Sequence, residues 1–200
     1  MGQVEERAAG WLPSPEDRRV KDAVIRSLLA MLERLVLEDL PGVIGNMVGE
    51  RQGVALVGRM LQNSSRHGFQ EFVKSLGLEP TGVRIEHWLS VFLEPEGGNL
   101  LHPFQVFRSV ECDWDQCMLL LSEGERAERM AGSLTLRAAL LAAIAGALEA
   151  LGRRAQWLAD PSMKKYLCSR VKPEVVVYFR EDPRGGRHYV VVEKMKCGSG

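Results

Sequence analysis

The densest group of side chains able to do chemistry is Cys112-Asp113-Trp114-Asp115-Gln116-Cys117, with His102 ten residues upstream of Cys112. Zinc takes four nitrogen or sulfur ligands in a tetrahedron, and a short spacer lets one turn offer two thiolates to the same ion. Cys112 and Cys117 meet that spacing and are the candidate metal ligands, provided the fold adds Cys168 or a histidine. The competing expectation is a pair of ordinary half-buried thiols, because free cysteine is among the most buried residue types. A thiol enzyme would need His67, His87, His102 or His188 beside a cysteine of lowered pKa, and no motif ties any of them to one. Asp113 and Asp115 share a face if their segment is extended, as acid/base work requires, but beside a turn such residues more often serve solvation.

A second group is mostly apolar. If residues 83–93 form a strand, His87 falls on the apolar face between Ile85 and Leu89, and Trp88 falls on the other. A buried imidazole can hydrogen-bond a ligand's hydroxyl or carboxylate, although a core histidine satisfied by backbone is the more frequent case. With Val54 and Val57 from a glycine-rich helix and Ala143 from a later one, His87 and Leu89 form a candidate lining for a helix-covered apolar pocket.

These residues depend on the elements that carry them. Residues 1–15 hold Gly10, Pro13 and Pro15 around Trp11 and read as a loose arm, with residues 16–197 as one domain and 198–200 as a tail. From Val20 the apolar positions Val24, Leu28, Met31, Leu35 and Val36 follow the 3.6-residue period of a helix laying one stripe on a core. Pro41-Gly42 is read as a break, followed by a helical run crowded with Gly45, Gly49, Gly53 and Gly58. Glycine weakens a helix by about 1 kcal/mol relative to alanine, so this run must gain from close approach to a neighbour or ligand. A short helix over 65–76 then ends at Gly77.

The strand over 83–93 is expected to pair with 104–112 as a hairpin, and 113–130 reads as one or two short helices. A long Ala/Leu helix follows Gly132-Ser133 and stops at Gly152. Its small residues at four-residue spacing, such as Ala139, Ala143 and Ala147, suit tight packing or, alternatively, a homodimer contact. A helical piece over 162–169 precedes strands at 175–179 and 188–193, which are joined by a Pro-Gly turn. The order predicts an α+β domain, helix-rich, with an antiparallel sheet of about four strands in two hairpins under helices.

This order resembles the four-vinyl-reductase domain family and the related fold of TRAPP-type vesicle-tethering subunits. The likeness is carried by the glycine-spaced run Gly49 to Leu61, by Leu76-Gly77-Leu78 leading into Val83, and by the Thr135 to Arg153 helix before a terminal strand pair. It covers about residues 20 to 194. Members carry a close cysteine pair before the last strands, whereas this chain has only Cys168 there. The resemblance implies a small-molecule or acyl-chain binding domain, often a sensor or adaptor, enclosed by helices over the sheet. The leading expectation is a non-enzymatic domain that binds a hydrophobic small molecule or acyl chain and passes that state to a partner. The alternatives are a structural or protein-protein interaction module without ligand, including a homodimer, and the zinc or thiol site at Cys112 and Cys117.

The 200 residues are 46% hydrophobic and 26% charged, in the range of one soluble globular domain rather than a disordered or fibrous chain. Lys and Arg number 26 and Asp and Glu also 26, which disfavours a nucleic-acid coat. The neutrality is uneven, since basic residues outnumber acidic ones from Arg153 onward. The acidic start lacks the pattern of a secretory signal, and the apolar run 138–148 falls short of a bilayer span. A cytoplasmic location is therefore expected, and the four cysteines are expected as free thiols or ligands rather than disulfides.

Overall fold

A helix that is apolar all round must be covered on all sides. Residues 134–150 meet this demand: in the computed structural model they form a helix whose side chains are nearly all buried between a second helix and a sheet. The structure describes residues 27–28, 30–75, 77, 79, 84–86, 89, 107–121, 123–182 and 186–197.

Helical residues 30–34 lead through a widened, π-type turn, Leu35–Asp39, into α1, Leu40–Val48. The widening lies directly before Pro41, which has no N–H and whose ring crowds the carbonyl one turn back. The Leu40 N–H accordingly bonds to the Leu35 carbonyl, five residues earlier. Pro41-Gly42 is therefore not the break that the sequence suggested. The chain turns instead at Gly49, whose φ of 82° suits glycine, and continues as one long helix, α2, Glu50–Ser75. Gly77, at φ 64°, closes it with its N–H on the Lys74 carbonyl.

The next correction concerns the expected strand over 83–93. Ile85, Glu86 and Leu89 are helical, and Ile85 and Leu89 are both buried. Alternation at 83, 85, 87, 89 and 91 also contains the i,i+4 pair of a helix, so the period alone did not separate the two forms. His87, Trp88, Val91 and His102 lie outside the described residues. The first hairpin is made by β1, Phe107–Cys112, and β2, Gln116–Leu121, so part of the segment read as helical is a strand. Then come α3, Glu125–Gly132, and the central helix α4, Leu134–Ala150, whose first turn is capped by Ser133 Oγ accepting from the Leu136 N–H at 3.3 Å.

Ala155–Leu158 is an additional strand, β3, which the sequence reading did not expect. A 3-10 turn, Pro161–Tyr166, and the short α5, Leu167–Arg170, cross over to β4, Val175–Glu181, which returns as β5, His188–Lys194. The sheet order is β1-β2-β5-β4-β3, antiparallel throughout except for the parallel pair β3–β4. The domain is α+β, with one mixed five-stranded sheet packed against helices. Cys117, Leu119, Val177, Phe179, Val190 and Val192 face the helices and join α4 and α2 in a continuous core.

Gly45 of α1 and Gly53 and Gly58 of α2 mark where neighbours come close. A Cβ on Gly58 would lie 2.1 Å from the Trp157 ring, and one on Gly53 would lie 3.0 Å from the Gly45 Cα. The compensation expected for these glycines is thus supplied by other parts of the chain.

Candidate functional site

Three places carry the residues that sequence reasoning singled out. The first is the expected pocket lining. Val57 and Leu89 are fully buried, and Ala143 nearly so, within the packed core, while Val54 is half-buried on α2. Ser65 of α2 donates its hydroxyl to the Ala143 carbonyl at 2.6 Å, so the two helices meet at this point. The small-residue stripe of α4 is consequently covered by α2 and offers no surface to a second molecule. His87, the polar member of the expected lining, lies outside the described residues.

The second place is the hairpin tip between β1 and β2. Cys112 and Cys117 occupy directly paired positions, with Cα atoms 4.0 Å apart, and are joined in a disulfide. Cys168 and Cys197 form another. The expectation of free thiols or ligands is corrected here: among the described residues no cysteine is free. Bonded to each other, Cys112 and Cys117 do not present the thiolates that zinc requires. Among the described residues no group of three or more His, Cys, Asp or Glu converges as a metal site. Of the histidines considered as bases, His67 is exposed on α2 and His188 stacks on Phe179, with ring centroids 5.6 Å apart.

Asp113 shapes the tip by accepting from the backbone N–H groups of Asp115 and Gln116, each at 2.8 Å. These two bonds hold its carboxyl below the usual range. Asp113 and Asp115 therefore have separate structural roles, since Asp115 binds the Lys196 ammonium at 2.7 Å. Trp114 projects from the tip and is 91% exposed. Beside it lies a cavity of about 630 Å³ lined by Arg84, Ile85, Glu86, Arg153, Glu174, Val175 and Lys194 with the hairpin tip. Lys194 donates to Glu86 and to the Trp114 carbonyl. Burial pushes the Glu86 carboxyl up, but the Lys194 ammonium outweighs that effect and leaves it below the usual range. Cations and carboxylates alternate around this cavity, so it has no net preference for one sign of ligand.

The third place was missed by sequence reasoning as a site, although its residues were named. Of the periodic stripe expected on the core, Leu28, Met31 and Leu35 face solvent, Val36 is partly buried against the core, and Val24 lies outside the described residues. The side that packs inward carries Leu37, Pro41 and the buried carboxylates Glu33 and Glu38, with Arg129 of α3 paired to Glu38. Leu40, Val43 and Met47 continue the exposed stripe, Met47 being 79% exposed. The step from Leu35 to Leu40 is five residues, which an ordinary helix would turn off the line. The π-type turn absorbs the extra residue and keeps both halves on one face. Arg34 and Asp39, likewise five residues apart, form an ion pair at 3.6 Å across the same turn. The sequence signal for this arrangement was the five-residue step immediately ahead of Pro41.

No family model, curated protein or solved structure matches the chain. The likeness to four-vinyl-reductase domains and TRAPP-type subunits is therefore supported by none of these comparisons. Among the described residues no helix is long and apolar enough to cross a membrane.

Proposed function

We propose that this chain is a protein-interaction module that docks a protein partner through the outward apolar face of residues 28–47. One observation carries the reading: an uninterrupted apolar stripe that follows the helix through a π-type turn and remains in solvent. Leu28, Met31, Leu32, Leu35, Leu40, Val43 and Met47 are all exposed large apolar side chains, and a contiguous apolar face of this kind marks an interaction site on a soluble protein. Covering such a patch is favourable at about 25 cal/mol per Å² before the costs of association.

A second reading, a sensor for a hydrophobic small molecule or acyl chain, draws support from the cavity of about 630 Å³ beside Trp114, a volume in the range of ligand sites. It has less support than docking, because Val57, Leu89 and Ala143 pack in the core instead of lining that cavity. The two disulfides favour an oxidising compartment for either reading, in place of the cytoplasmic location expected from the sequence.

Hydroxyl-radical footprinting of Met31 and Met47 tests the proposal. Both should be oxidised readily in dilute purified protein and protected inside the expressing cell, with protection lost on dilution of the extract. Equal reactivity in the two settings would reject docking at this face.

A further inference from the structure

We infer that the protein seated on this face is a second copy of the same chain, antiparallel to the first about a two-fold axis between positions 37 and 38. This rests on the docking reading above and adds the identity of the partner. A two-fold interface must be self-complementary, because each residue of one copy meets its counterpart by the same operation. The stripe has that symmetry. Leu28 with Met47, Leu32 with Val43, and Leu35 with Leu40 are each equidistant from the axis, and all six are exposed. An antiparallel pair therefore places apolar against apolar along its whole length.

The charges obey the same operation. At about 1.5 Å rise per residue, Arg34 lies within about 3 Å, along the helix axis, of the second copy's Asp39. Each Arg34–Asp39 pair, exposed within one copy, can thus bridge across to the other, giving a neutral set of four charges beside the apolar stripe. A membrane surface fits less well, since a helix lying on anionic lipid carries Lys and Arg along its polar side. Over residues 30–48 the basic residue is Arg34, against Glu33, Glu38 and Asp39.

The test is sedimentation velocity of the full chain between about 100 and about 1 micromolar, with circular dichroism as the check on folding. The wild type should be dimeric at the upper end, and Leu35→Glu and Met47→Glu should be monomeric with unchanged helix content. Both positions are exposed, so neither change burdens the core. Arg34→Asp and Asp39→Arg alone should each weaken the dimer at least about tenfold, and the two together should restore it to within about threefold. A wild type that is monomeric throughout overturns the proposal, including one that binds vesicles containing phosphatidylserine. So does a dimer untouched by Leu35→Glu and Met47→Glu, or a double variant no tighter than the single ones. A monomeric wild type whose Met31 and Met47 are protected in the cell would overturn the second copy and leave the docking reading standing.

Discussion

Gly146 of α4 faces the Gln62 carbonyl of α2 so closely that a Cβ added to it would lie 2.2 Å from that oxygen. The two helices that build the core are held at backbone distance here, with no room for a methyl group. Gly146→Ala must therefore force α2 and α4 apart and is expected to destabilise the domain by about 1–3 kcal/mol. Gly68→Ala should do the opposite. Gly68 lies in the exposed interior of α2 with nothing within 4 Å of an added Cβ, so the change should stabilise by up to about 1 kcal/mol. Urea denaturation of both variants checks the pair, and shifts of the same sign would contradict the packing described.

Gln62 also joins α2 to the edge strand. Its Oε1 accepts from the Trp157 indole N–H at 3.1 Å, while its Nε2 donates to Glu149 at 2.8 Å. Replacing Gln62 by Leu leaves the indole donor without this acceptor in a partly buried place, at an expected cost of about 1–3 kcal/mol. Gln62→Glu keeps the acceptor but sets a second carboxylate against Glu149, so that variant should lose stability most at neutral pH and recover part of it as the pair is protonated. Thermal unfolding at pH 7 and pH 4 measures both.

The disulfides should contribute unequally. In the loop-closure picture the cost of opening a bridge grows with the chain it spans. The separation is 5 residues for Cys112–Cys117 and 29 for Cys168–Cys197, which gives about 2 and about 3.5 kcal/mol respectively. Paired serine substitutions, each followed by denaturant unfolding, should reproduce that order. Alkylation of the unreduced, denatured protein should label no cysteine, and labelling of all four without reductant would remove both bridges from the account.

Tyr178 supplies a pH signature. Burial pushes its hydroxyl up to about 12, helped by the hydrogen bond it donates to Glu193 at 2.9 Å. A raised folded-state pKa means that the native form holds its proton longer than the unfolded chain does. The stabilisation is complete below about pH 10 and is lost as pH rises toward 12. Tyr178→Phe should flatten the alkaline fall in stability relative to wild type across that window, and parallel curves for the two proteins would contradict the assignment.

What the sequence made legible depended on how many structures each pattern allows. Residues 134–150, apolar on every side and bounded by Ser133 and Gly152, had one solution, and the helix formed where expected. The terminal strands were equally plain, because runs such as Val175 to Phe179 suit a buried strand. The 83–93 segment failed because Ile85 and Leu89 satisfy a helix as well as a strand. The short β3 failed for a different reason: Ala155–Leu158 owes its pairing to β4 and to Trp157 packing over Gly58, contacts that no local pattern announces. At the candidate site the apolar period of residues 28–35 was read correctly and its direction was not. Periodicity states that a stripe exists, and only the buried line through Leu37 and Pro41 decides which side faces in.

The Cys168–Cys197 bridge links the short helix α5 to the stretch just beyond β5, so β4, β5 and the turn between them lie inside a covalent ring. A protease that cuts once within this ring opens it without releasing a fragment. Such a nicked chain would run at full mass until reduced, and its two central strands would stay tethered in register while the backbone between them is broken.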